Sequence, residues 1–254
     1  MDSINRYVGK VAWVSGGAAG IGEACCARLA REGARVVIAD VDLASASAAV
    51  GRLTAAGAEA IALRCDVADP QAVEASIAAT VATFGRLDLA VNNAGIAGAL
   101  TDIVHYPLET WNRVIAINLN GVYHGLRVQI PAMIKLGGGA IVNMASLLGT
   151  VGFPGVSAYA AAKHAVVGMT KTAALEFGAA NVRINAVCPS FIKTALTLGP
   201  IPDGPAWADL ASKHAVNRCA EPEDVAAMVA FLGSDDAHYL TGAVYLVDGG
   251  YTAA

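Results

Sequence analysis

Charge is scarce in this chain. Only 15% of its 254 residues are Asp, Glu, Lys or Arg, against 56% hydrophobic, and the formal net charge is −4. Nucleic-acid binding leaves a basic footprint, so no nucleic-acid partner is expected. So apolar a composition points instead to extensive burial, including burial between subunits. Metal-ligand spacing is absent too: the five histidines form no H-E-x-x-H, so no metal site is expected. The cysteines are Cys25, Cys26, Cys65, Cys188 and Cys219, an odd count with no C-x-x-C pair. That argues for reduced, buried thiols and a cytoplasmic location.

Long uninterrupted apolar runs are missing as well. Between Lys135 and Lys163 there is no charged residue or histidine, a stretch long enough to cross a bilayer. Gly137, Gly138, Gly139, Asn143, Ser146, Gly149, Gly152, Pro154 and Ser157 interrupt it. It reads as a buried strand, a loop and a helix start, so no membrane association is expected. No long apolar core follows the first six residues, so no signal peptide is expected. With no linker, repeat or low-complexity break, one domain over residues 1–254 is the economical reading.

Short apolar runs alternate with longer Ala-rich amphipathic stretches. Strands are expected at 10–15, 34–40, 58–64, 87–92, 140–145, 182–188 and 244–247. Helices are expected at 20–32, 43–56, 70–84, 110–135 (bent or broken near Pro131), 157–178 and 222–232, with an irregular stretch at 194–215. Asp69-Pro70 is a good helix start and Gly85 a good stop. Strand–helix alternation implies right-handed crossovers, hence a doubly wound α/β fold: about seven parallel strands with helices on both faces. Continuous apolar strands suit burial on both faces.

Gly16, Gly20 and Gly22 follow the first strand and open the first helix. There a dinucleotide pyrophosphate meets a helix N-terminus, and glycines let backbone amides approach it. Alone the motif is weak, because Gly and Ala turns abound in this chain. Asp40 ends the second strand, 18 residues after Gly22. It suits adenosine ribose hydroxyls and opposes a 2′-phosphate; no cation stands at Ala19 or Val41, so NAD is expected over NADP. The plainer reading is a solvated strand-end carboxylate. Asp66, ending the third strand, is either an adenine contact or a helix-entry turn acid.

Tyr159 and Lys163 are four apart in a helical stretch, on one face. Moving a phenol from pKa ~10 to ~7 needs about 4 kcal/mol. One charge at ~4 Å supplies ~4 kcal/mol at an effective dielectric of ~20, so Lys163 is expected to lower the Tyr159 pKa. Taken singly, Tyr159 is as well read as a surface helix residue, Lys163 as a solvated charge, Ser146 as a strand-end residue and Asn118 as a satisfied helix polar group.

Together these residues closely resemble the short-chain dehydrogenase/reductase family, in its NAD-preferring branch, over nearly the whole chain. Residues 15–22 are similar to its T-G-x-x-x-G-I-G turn, with Ser15 for Thr. Asp66 with Val67 resembles its adenine-contacting acid, and Asn92-Asn93-Ala94-Gly95 its N-N-A-G motif. Asn118, Ser146, Tyr159 and Lys163 resemble its catalytic tetrad, and Asp248-Gly249-Gly250 its C-terminal D-G-G. Where the family has Pro-Gly, this chain has Pro189-Ser190, and Ala145 stands where many members carry a second Ser.

The resemblance implies a cofactor site of Gly16, Ala18, Gly20, Ile21, Gly22, Asp40, Asp66, Val67, Asn93, Ala94, Gly95, Tyr159, Lys163 and Pro189, with Ile192 and Thr194 at the nicotinamide carboxamide. It implies Tyr159 as acid/base, Lys163 on the nicotinamide ribose, Ser146 on the substrate oxygen, and Asn118 holding a water that links Lys163 to solvent. It places a substrate loop and lid at about 190–215. Leu148, Phe153, Phe191, Leu196, Leu198 and Trp207, with Ser190, are expected to form an apolar substrate pocket; the alternative is that they pack the lid against the body. Pairing of the helices at 110–135 and 157–178 implies a homotetramer. The expectation is an NAD-dependent oxidoreductase on a secondary alcohol or ketone, apolar or cyclic. The alternatives are a 3-oxoacyl-carrier-protein reductase and a non-catalytic NAD-binding regulator.

Overall fold

The computed structural model describes residues 5–198 and 204–253. The chain begins with β1 (Val11–Ser15), wholly buried, and turns on glycine into α1 (Gly20–Arg31). There follow β2 (Arg35–Asp40), α2 (Leu43–Ala55), β3 (Ala60–Arg64), α3 (Pro70–Phe84) and β4 (Leu89–Asn92). Next come α4 (Leu108–Ile115), α5 (Gly121–Lys135), β5 (Gly139–Met144), α6 (Ser157–Phe177) and β6 (Val182–Pro189). The helices α7 (Ala195–Leu198), α8 (Pro205–Ser212) and α9 (Pro222–Gly233) precede β7 (Val244–Val247).

The strands form one parallel sheet in the order β3-β2-β1-β4-β5-β6-β7. The order builds outward from β1 to one edge, then from β4 to the other. That reversal leaves a crevice at the carboxyl ends of β1 and β4, where ligands of such sheets bind. The glycine turn leaves β1 there, and Asn93 leaves β4.

β1 shows why its residues are apolar throughout. Ala12 and Val14 pack in a cluster with Cys25 and Leu29 of α1 and Val225 and Val229 of α9. Val11 and Trp13 pack in a second cluster with Val73 and Ile77 of α3 and Leu126 and Ile130 of α5. Alternate side chains point to opposite faces, so helices on both sides demand apolar residues at every position. Trp13 Nε1 donates to Ser76 Oγ at 2.9 Å, which satisfies the polar atom of the buried indole. Asp42 and Asp69 cap α2 and α3 by accepting from backbone amides, and Gly85 ends α3 with φ of 76°.

Two local expectations need correcting. The helix expected over 110–135 starts at Leu108 and runs through Pro131; its irregularity is a π-turn at Ala116–Asn120. Pro131 removes one backbone donor. The π-turn inserts a residue and carries the buried Asn118, whose partners lie on another segment. The stretch 194–215, expected to be irregular, contains α7 and α8, the latter with Pro205 in its first turn. All five cysteines are buried and free. Among the described residues no helix is long and apolar enough to cross a membrane, and no cluster suits a metal ion.

Candidate active site

The glycine turn is a cradle that side chains would fill. Gly16 and Gly20 have φ of 61° and 56°, a region that favours glycine. A Cβ on Gly22 would lie 2.0 Å from the Gly16 carbonyl oxygen, and one on Gly16 would lie 2.9 Å from the Ala94 Cα. The turn is stapled to the chain leaving β4. Ser15 Oγ accepts from the amides of Asn93 and Ala94 at 3.0 and 3.2 Å, and Asn93 Nδ2 donates to the carbonyls of Ser15 and Gly16. Asp40, at the end of β2, accepts from the amides of Ala18 at 3.2 Å and Asp42 at 3.1 Å. It therefore braces the turn whatever else it binds.

β5 and α6 bring the polar groups together. Ser146 follows β5, and its buried hydroxyl accepts from the Leu148 amide at 3.2 Å. One turn apart on α6 stand Tyr159, half-buried, and Lys163, 3% exposed. Lys163 Nζ donates to the Met144 carbonyl at 2.7 Å and lies 5.5 Å from the centre of the Tyr159 ring. Asn118 is fully buried, and its amide grips one peptide: Nδ2 donates to the Ile96 carbonyl and Oδ1 accepts from the Ile96 amide, both at 2.8 Å. Its side chain thus shapes the loop after β4.

Burial disfavours whichever form carries charge, phenolate or ammonium. It pushes the Tyr159 phenol above its ordinary range, opposed by a hydrogen bond with the Ser146 hydroxyl. Burial also pulls Lys163 down to about 8. The expectation that Lys163 lowers the Tyr159 pKa is corrected for the protein alone. The lysine is itself desolvated and bonded to Met144, and desolvation of the phenol outweighs any help from it.

A cleft of about 310 Å³ joins the two halves. Of the residues singled out in the sequence, its lining holds Gly16, Gly20, Ile21, Asp40, Asn93, Ala94, Gly95, Ser146, Tyr159, Lys163, Pro189, Ser190, Ile192, Thr194 and Leu196. Ala19, inside the glycine turn, and Ala145, beside Ser146, also line it, as do Met144 and Thr197, which no motif marks and which were not anticipated. Ala18, Gly22 and Asn118 are buried and are not among the lining residues. Asp66 is exposed and accepts from the Ala68 amide, while Val67 is buried and its carbonyl meets His124 Nδ1 at 2.9 Å.

The expected substrate residues divide. Leu148 is buried, and Phe153 and Phe191 pack edge to face with ring centres 5.8 Å apart. Trp207 sits in a small cluster with Leu210 and Cys219, against Phe191. None of these four lines the cleft. The Leu198 side chain lies outside the described residues. A partner of Ser190 that sequence reasoning missed is His214, whose Nε2 is 2.9 Å from Ser190 Oγ.

The family model described as Enoyl-(Acyl carrier protein) reductase matches residues 16–252. The chain is 42% identical over 249 residues to the cyclohexanol dehydrogenase of Acinetobacter sp. (strain SE19), covering 98% of this chain and 97% of that one. The crystal structure of levodione reductase has a TM-score of 0.95 to this fold at 38% identity, covering 98% of this chain and 100% of its own. The 3-ketoacyl-(acyl-carrier-protein) reductase of Brucella melitensis, solved in complex with NADH, has a TM-score of 0.89 at 32% identity, covering 96% of this chain and 99% of its own. The fold and the site define a Rossmann-type oxidoreductase. The chain belongs to the short-chain dehydrogenase/reductase family.

Proposed function

We propose that this protein interconverts a secondary alcohol and a ketone on an apolar or cyclic skeleton, using NAD(H). The observation that carries this reading is the single cleft that holds the glycine turn, Asp40 and the Ser146, Tyr159 and Lys163 side chains together. A dinucleotide fits the residues present: the turn has the room that Cβ atoms would take, and Asp40 lines the cleft with a carboxylate that would suit ribose hydroxyls. Gly16, Gly20, Ile21, Asn93, Ala94 and Gly95 would hold its phosphates and adenosine side, and Ile192 and Thr194 its carboxamide. Ala18, Gly22, Asp66 and Val67 stay in this set as supports and outer contacts. When bound, that group supplies the hydride acceptor or donor.

The chain's own residues supply the rest. Ser146 Oγ accepts from Leu148, which leaves its proton for the substrate oxygen. In oxidation Tyr159 first gives up its own proton, with Lys163 as the route out, and then takes the alcohol proton; in reduction the phenol gives its proton to the substrate oxygen. Lys163 holds the ribose and, with its pKa drawn to about 8, passes protons near neutral pH. Asn118 fixes the loop through Ile96; a relay water beside it completes the path to solvent. Met144, Ala145, Ile192 and Leu196 give the cleft an apolar side suited to a hydrocarbon ring, in keeping with the name of the Acinetobacter relative. The described residues 190–198 and 204–215 belong to the substrate loop and lid of one catalytic domain; 199–203, within the expected lid, lie outside the described residues.

The protein works as a homotetramer in the cytoplasm. A groove between α5 and α6, lined by Tyr123, Ile130, Ile134, Met169 and Phe177, offers apolar surface for pairing. Sedimentation showing a stable monomer at micromolar concentration would refute this part.

A panel of ketones and alcohols followed by NADH absorbance tests the reading. Cyclic ketones should be reduced with NADH preferred over NADPH. Activity confined to charged, short-chain or highly polyhydroxylated compounds would sink it. The likeness to the Brucella enzyme favours a second reading, 3-oxoacyl-carrier-protein reduction. The net charge of −4 argues against a basic carrier-docking surface, and an acyl-carrier thioester in the same assay decides. A Tyr159→Phe variant that binds NADH but has lost turnover excludes a non-catalytic regulator.

A further inference from the structure

We propose that Ser190 is a specificity-determining residue that accepts a hydrogen bond from a second hydroxyl on the substrate, and that His214 is the positioning residue that makes it an acceptor. The inference rests on the alcohol–ketone reading above and deepens it to a substrate class, the diols and hydroxyketones.

The proton positions follow from the partners. His214 is buried, and its Nδ1 lies 2.7 Å from the Leu210 carbonyl oxygen. A carbonyl only accepts, so Nδ1 carries the proton. In the neutral imidazole the lone pair is then on Nε2. Nε2 is 2.9 Å from Ser190 Oγ, so the serine hydroxyl donates to it. A hydroxyl has one proton, and with that proton committed Ser190 can offer other partners only its lone pairs. The ring is held in this orientation: Tyr251 packs with its centre 5.0 Å away and Phe191 with its centre 6.4 Å away. A flipped ring would set a carbon against the Leu210 carbonyl and lose the bond.

Ser146 is the converse. Its oxygen accepts from the Leu148 amide, so its proton is directed to the cleft side, where it meets the Tyr159 oxygen. Both serines border the same cleft as Tyr159. The reacting carbonyl oxygen needs donors, which Ser146 and Tyr159 provide. It has no proton to give Ser190. The complement of Ser190 is an O–H or N–H elsewhere on the ligand, and on a substrate that is a hydroxyl near the reacting carbon. At this position the family pattern usually has glycine, which offers no side chain to accept such a bond.

The test is the ratio of kcat/KM for cyclohexane-1,2-diol to that for cyclohexanol, at saturating NAD, in wild type and in Ser190→Ala. The ratio should fall about tenfold, the usual effect of one lost hydrogen bond, chiefly through the diol KM. His214→Phe keeps a ring among its aromatic neighbours but removes the acceptor of the serine proton. It should lower the ratio in the same direction; should it fail to fold, Ser190→Ala decides alone. A ratio within twofold of wild type in Ser190→Ala overturns the proposal. So does an unchanged ratio with tenfold weaker NADH binding by calorimetry, which would assign the hydroxyl to the cofactor amide. Wild-type protein that binds NADH but oxidises neither alcohol would overturn the alcohol–ketone reading, and this inference with it.

Discussion

Lys163 donates a 2.7 Å hydrogen bond to the carbonyl of Met144, the last residue of the strand that leads to Ser146. That contact fixes the lysine head inside the protein, where burial brings its pKa to about 8. The side chain proposed to carry proton traffic is also one whose charge folding disfavours.

The stability consequence has a definite sign. The folded pKa of Lys163 lies below its ordinary 10.5. Between pH 8 and 10.5 the unfolded chain therefore binds more protons, and this group's contribution to stability rises with pH. At pH 7 the buried ammonium costs about 3 kcal/mol by that shift. Lys163→Met removes the charge but orphans the Met144 carbonyl, which returns ~1–2 kcal/mol. The variant should be ~1–2 kcal/mol more stable than wild type at pH 7, with the gap narrowing by pH 9.5, and should lack turnover. Urea melts at the two pH values check this; a less stable variant at pH 7 would show that the hydrogen bond outweighs the burial.

Tyr159 should resist ionisation in the protein alone, because burial raises its pKa. An ultraviolet titration of wild type minus Tyr159→Phe should show no phenolate signal from this residue below pH ~10. In the same variant kcat should fall by about 10²–10⁴, the usual contribution of a positioned acid/base. A Tyr159 signal near pH 7 without cofactor would contradict the burial argument.

Asp40 has two effects that one substitution separates. Asp40→Asn keeps oxygen and shape but removes the charge that opposes a 2′-phosphate. The kcat/KM preference for NADH over NADPH should narrow at least tenfold, on the order of 1.4 kcal/mol. The melting temperature should fall only slightly, since the amide oxygen can still accept from Ala18 and the bond lost, from the Asp42 amide, is solvent-exposed. A preference unchanged within twofold would leave Asp40 as a brace only.

Gly22 and Gly20 make a graded pair. A Cβ at Gly22 would overlap the Gly16 carbonyl at 2.0 Å, whereas one at Gly20 meets the Thr194 methyl at 3.3 Å. Gly22→Ala must push the turn apart, costing roughly 3 kcal/mol or more. Gly20→Ala pays chiefly for a left-handed backbone, about 1–2 kcal/mol. Calorimetric melting and NADH binding should rank both variants below wild type, Gly22→Ala lower.

Much of this arrangement is legible along the chain because its causes are local. Alternating apolar runs and amphipathic stretches place the strands and helices to within a few residues. The glycine spacing after β1 marks the turn, since no larger residue fits its backbone. Pro131 misleads, because proline draws attention as a helix breaker while the π-turn at Asn118 leaves no compositional mark. The order of Asn118, Ser146, Tyr159 and Lys163 reads as a family pattern, but order says nothing of burial, so the direction of the Tyr159 shift does not follow from it.

By itself, then, the sequence determined the parallel α/β sheet, the position of the glycine turn and the candidate reacting groups, through periodicity, glycine sterics and residue chemistry. Tertiary structure alone decided which groups meet. It set Asn118 on Ile96, Lys163 on Met144 and Ser190 on His214, pairs separated by 22, 19 and 24 positions. It also decided which groups lose water. Hydrogen-bond partners and desolvation depend on distance in space, and no pattern along the chain encodes them.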